Sequence, residues 1–83
     1  MDWLKKIKQI KEKLRQHDFN LIASEIDNKQ MILGTPGEMY LNVIVYLLEI
    51  KQNNSVVWEL IEADVTELVN YGKSIGYFTY DKM

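Results

Sequence analysis

Thr35-Pro36-Gly37-Glu38-Met39-Tyr40-Leu41-Asn42-Val43-Ile44-Val45-Tyr46-Leu47-Leu48-Glu49-Ile50 is the longest apolar tract in an 83-residue chain, and it reads as either a buried strand or a buried helix. Val43-Ile44-Val45 favours the strand, because β-branched side chains are stiff at χ1 and pack well on a pleated surface. The opening four residues favour the helix. Thr35 can accept an amide at a helix start, Pro36 suits the first helical position, and Glu38 can reach back to the Thr35 amide. A capping box followed by about fifteen residues outweighs a weak propensity term. The tract is therefore predicted to be a helix over about 36–51, apolar nearly all round, and so the central buried element of the fold.

Working outward, Trp3, Ile7, Ile10 and Leu14 recur at steps of four, three and four, which predicts a helix over about 2–16 with Asp2 as its cap. Asp18 is expected to cap a second helix carrying Phe19, Ile22 and Ile26, with Leu21 and Ala23 beside them. Asp27-Asn28-Lys29-Gln30 ends that pattern, and 31–34 is expected to be a link. After Gln52-Asn53, Asn54 or Ser55 can cap a fourth helix in which Trp58, Ile61, Val65 and Leu68 form the inner stripe, with Trp58 buried. Gly76 offers a left-handed stop after Ile75. Short links between successive helices favour antiparallel neighbours. The expectation is an all-α fold: one small helical domain over 1–83, a bundle of about four helices built around the third.

Composition narrows the function classes. With 47% hydrophobic and 27% charged residues and nine aromatic side chains, the chain fits a globular class. There is no cysteine, hence no disulfide and no thiolate nucleophile or ligand. The apolar run Val43 to Leu48 is far shorter than the ~20 residues a membrane span requires. The N-terminal residues lack the apolar core of a signal peptide, so a cytoplasmic location is expected.

Chemistry-bearing constellations are scarce. His17, the single histidine, falls just past a helix end, where hydrogen bonding to free carbonyls accounts for it. One histidine without cysteine leaves no metal-binding pattern, and no cofactor motif is present. Glu59 and Glu62 would act as an acid–base pair only if burial held one of them protonated, and they fall on the polar side of their helix. Gly34-Thr35-Pro36-Gly37 lacks the lysine of a phosphate cradle and is followed by an acid. The chain is accordingly not expected to be an enzyme.

Charge is the remaining clue. Residues 1–17 carry six basic side chains against two acids, and residues 18–83 carry four against ten, a +4 arm on a −6 body. Part of the basic helix is expected to pair with acids of the fourth helix, a surface effect of at most ~1 kcal/mol per pair. The acidic face of the fourth helix, Glu59, Glu62, Asp64 and Glu67, is the candidate partner-binding surface, together with the aromatic tail Tyr77, Phe78 and Tyr80. The expected function is a protein-binding module of the immunity or antitoxin type, neutralising a basic partner protein by charge complementarity. The alternative is contact with nucleic acid or an anionic membrane through Lys5, Lys8, Lys11 and Arg15.

Overall fold

The computed structural model describes residues 2–31 and 34–77. Four helices follow one another: α1 (Trp3–Gln16), α2 (Asn20–Gln30), α3 (Pro36–Asn53) and α4 (Ser55–Ile75). The tract is helical from Pro36 through Ile50, and the β-branched trio serves the core, with Val43 and Ile44 fully buried. The Thr35 hydroxyl accepts the Glu38 amide at 3.2 Å. Glu38 turns over Gly34, so only half of the expected capping box is made.

The bundle is a ring in which α1 packs on α2 and α4, and α3 packs on the same two. At about 1.5 Å per residue the 21-residue α4 is about 31 Å long, close to the 33 Å long axis of the molecule. One apolar cluster joins all four helices: Ile7, Ile10 and Leu14 from α1, Ala23 and Ile26 from α2, five residues of α3 and Val57, Ile61, Val65, Leu68 and Val69 of α4. The third helix is thus one of four walls, flanked on two sides only, and not an axle surrounded by the others. Its outer side exposes Leu41 and Val45, at 36% and 52%. The ten apolar residues among the twelve from Met39 to Ile50 cannot all face inward when a helix has neighbours on half its circumference.

Two helix ends share one device. At the end of α1 the Phe19 amide donates to the Leu14 carbonyl at 2.8 Å and the Asp18 amide to Arg15 at 3.1 Å. At the end of α4 the Tyr77 amide donates to Gly72 at 2.9 Å and that of Gly76 to Lys73. These are paired closures around a left-handed residue, Asp18 with φ +66° and Gly76 with φ +82°. Gly76 fills the role read for it. Asp18 does not: it was expected to cap α2, but its backbone is committed to closing α1, and α2 starts from Phe19 with no side-chain cap. Asn54 caps α4 by accepting the Val57 amide at 3.2 Å.

Ile32 and Leu33 lie outside the described residues, so the link expected over 31–34 is seen at Met31 and Gly34 alone. Trp58 corrects another expectation, because it is half-buried. Its indole N–H requires an acceptor, and it finds one at the rim of the bundle, Glu62 Oε2, at 2.9 Å.

Candidate functional site

Helix α1 presents two basic edges, and each is met by acids from a neighbouring helix. Lys6 and Lys13 are seven residues apart, nearly two turns, and so line the edge facing α4. Lys6 Nζ lies 2.7 Å from Glu67 and 3.4 Å from Asp64, while Lys13 Nζ lies 2.8 Å from the other oxygen of Asp64. Lys11 and Arg15, four apart, line the edge facing α2. Lys11 Nζ lies 2.7 Å from Asp27 and also donates to Gln30, and Arg15 reaches the second Asp27 oxygen at 2.9 Å.

Both hubs leave an electrostatic trace. The Glu67 carboxylate, followed by Asp64, holds the Lys6 ammonium above its ordinary value against the opposing effect of desolvation. The Lys11 ammonium, with help from Arg15, holds the Asp27 carboxyl below the usual carboxylate range. Opposite charges at hydrogen-bonding distance favour both charged forms.

This pairing divides each predicted set in two. Of the acidic face, Asp64 is mostly covered, with its side chain 16% exposed, and is shared between two lysines of its own chain; Glu67 is held by Lys6. Glu59 and Glu62 stand on the solvent side of α4 and take part in no ion pair among the described residues, although Glu62 accepts from Trp58. Of the basic face, Lys11 and Arg15 are engaged with Asp27, and Lys5 and Lys8 are exposed without an ion pair among the described residues. The sequence pointed to α1–α4 pairing as a class. It missed Asp27 as the α1–α2 hub, for which the four-residue spacing of Lys11 and Arg15 was the available signal.

Tyr77 is half-buried and packs back on the bundle. Its ring centroid lies 6.0 Å from Trp3 and 5.7 Å from Tyr40, and Trp3 meets Tyr40 edge-on at 5.6 Å. The cluster ties the first turns of α1 and α3 to the end of α4. Phe78 and Tyr80, the other two tail residues, lie outside the described residues.

Two cation–aromatic contacts mark the outer surface. Lys51 Nζ is 5.8 Å from the Trp58 ring centroid, and Lys29 Nζ is 5.8 Å from that of Tyr46. Tyr46 borders a shallow depression between α2 and α3 with Asn42, Val45 and Glu49. Burial, followed by the charges of Glu25 and Glu49, raises its phenol above the ordinary value.

His17 is exposed at the end of α1, where its amide donates to Leu14. Among the described residues, no three histidine, cysteine or carboxylate side chains gather in a group able to hold a metal ion. No helix among the described residues is long and apolar enough to cross a membrane. Comparison with protein-family models, with curated proteins and with solved structures finds no match to this chain.

Proposed function

We propose that the protein is a binding module whose partner is another, basic protein, met through the solvent face of α4 at Glu59 and Glu62. One observation carries this reading: three acids hold four of the six basic side chains of residues 1–17, while Glu59 and Glu62 are left outside that network. Lys6, Lys13, Lys11 and Arg15 are held by Glu67, Asp64 and Asp27, whereas Glu59 and Glu62 face outward and form no ion pair among the described residues. An anionic face of this kind raises encounter rate with a cationic partner and selects against anionic ones. It suits a cytoplasmic protein of the immunity or antitoxin type, which blocks a basic toxin or nuclease.

Binding of nucleic acid or an anionic membrane through α1 draws less support. Two of its four candidate cations, Lys11 and Arg15, already hold Asp27, which leaves Lys5 and Lys8 to provide a field that such polyanions require in greater number. The test is capture from cell extract on immobilised wild-type protein, a Glu59→Lys/Glu62→Lys variant and a Lys5→Glu/Lys8→Glu variant. The expected result is a basic protein retained by the wild type and by Lys5→Glu/Lys8→Glu and lost on Glu59→Lys/Glu62→Lys. Retention of nucleic acid or lipid that disappears with Lys5 and Lys8 would reverse the assignment.

A further inference from the structure

We infer that the outer groove between α3 and α4 is the seat of the partner, and that its occupant is an amphipathic helix with an apolar stripe flanked by lysine or arginine; this rests on the acidic-face reading above. The groove follows from helical register. Tyr40, whose hydroxyl bonds the Leu68 carbonyl, and Lys51, which lies over Trp58, mark the line along which α3 faces α4. About a quarter-turn outward from that line, Leu41, Val45 and Leu48 repeat at steps of four and three. Leu41 and Val45 are exposed at 36% and 52%, and Leu48 is half-buried. Across the groove stands the half-buried Trp58.

An apolar stripe at these spacings is what the apolar face of a second helix fits, read through anchors one turn apart. Charge selects which helix. At the Leu48–Trp58 end, Glu49 rises beyond the stripe on α3 and Glu59 and Glu62 rise on α4, all three exposed, against Lys51 and, on the α2 side of Glu49, the partly buried Lys29. A flanking lysine or arginine on the incoming helix meets carboxylates on both sides, while an acidic helix meets repulsion.

The experiment titrates isotope-labelled protein with a synthetic helix of about eighteen residues, a length at which isolated helices become viable. It carries leucines at steps of three and four with lysines on both flanks; a permuted peptide of the same composition has no apolar stripe. The expected result is shift changes centred on Leu41, Val45, Leu48 and the Trp58 indole, with binding at least tenfold weaker for the permuted peptide. Val45→Gln should weaken the amphipathic helix by a similar factor while leaving helix content unchanged and melting little changed, since that side chain is 52% exposed. Equal binding of the two peptides, with shifts confined to Glu59 and Glu62, overturns the groove and leaves the acidic face standing. Absence of binding by either peptide at millimolar concentration removes both.

Discussion

The phenol of Tyr40 occupies the space in which residue 72 would carry a β-carbon, and its hydroxyl donates to the Leu68 carbonyl one turn earlier in α4. Gly72 is buried in the interior of a 21-residue helix, a position where glycine normally costs about 1 kcal/mol relative to alanine. Here the sign inverts. Gly72→Ala places a methyl group against the hydroxyl and ring carbons of a fully buried side chain, and overpacking of that kind costs about 1–3 kcal/mol. Urea denaturation should show a lower midpoint for Gly72→Ala; a higher one would mean that the ring moves aside freely. Tyr40→Phe should cost about 1 kcal/mol, the net worth of one hydrogen bond.

Asp64 is the pivot of the α1–α4 contact, since each of its oxygens holds a different lysine. Asp64→Ala leaves Lys6 and Lys13 close together without that carboxylate and should destabilise by about 1–2 kcal/mol, more than an exposed pair because Lys6 and Asp64 are mostly covered. A double-mutant cycle with Lys6→Ala should give a coupling near 1 kcal/mol. Glu59→Ala, which breaks no ion pair in the described structure, should leave stability unchanged. The contrast separates acids that hold the fold from acids available to a partner.

Much of this architecture is legible in the residues themselves. Trp3, Ile7, Ile10 and Leu14 place α1 within a residue at each end, Thr35 and Pro36 start α3, and Gly76 stops α4, because spacing and capping are local properties of the chain. Asp18 misleads for a physical reason: aspartate serves equally as a cap and as a left-handed residue, and only the close approach of Phe19 to Leu14 decides between them. The place of α3 in a ring, and Asp64 turned inward while Glu59 faces out, depend on which helices meet. One helix's periodicity carries no information about that.

Asp18 pays a conformational cost at φ +66°, in a region that glycine enters without penalty. Its side chain makes no cap, so little is lost on removing it. Asp18→Gly should stabilise the protein by about 0.5–1 kcal/mol, and thermal melting checks it. Asp18→Ala, which has neither the freedom of glycine nor the tolerance of aspartate for this conformation, should destabilise.

Asp27 sets an acid-side dependence. Its carboxyl is held below the ordinary value, first by the hydrogen bond from Lys11, so the folded state binds its proton less readily than the unfolded chain. The stabilisation is therefore fully present above about pH 4 and is lost as pH falls through the folded-state value. Asp27→Asn should be less stable than wild type at pH 7, and the difference should shrink as the pH is lowered toward 2. Denaturation midpoints at pH 7, 4 and 2.5 measure it. A difference that does not change with pH would show that Lys11 and Arg15 do not depend on the charge of Asp27.

Tyr40 sets the alkaline side. Burial pushes its phenol up to about 12, against a pull in the other direction from the Gly72 amide, whereas the unfolded chain titrates near 10. Below pH 10 the proton is bound in both states and stability does not depend on it. Between about pH 10 and 12 the folded state keeps the proton that the unfolded chain gives up, so stability falls as pH rises, by about 3 kcal/mol once both states have titrated. Tyr40→Phe removes this contribution, so its stability should decline less steeply than that of the wild type between pH 9 and 11.5. Matching slopes for the two proteins would mean that the buried hydroxyl does not couple to folding. The same measurement bears on the Trp3–Tyr40–Tyr77 cluster, since a phenolate forming beneath Trp3 and Tyr77 would unseat the end of α4 that rests on them.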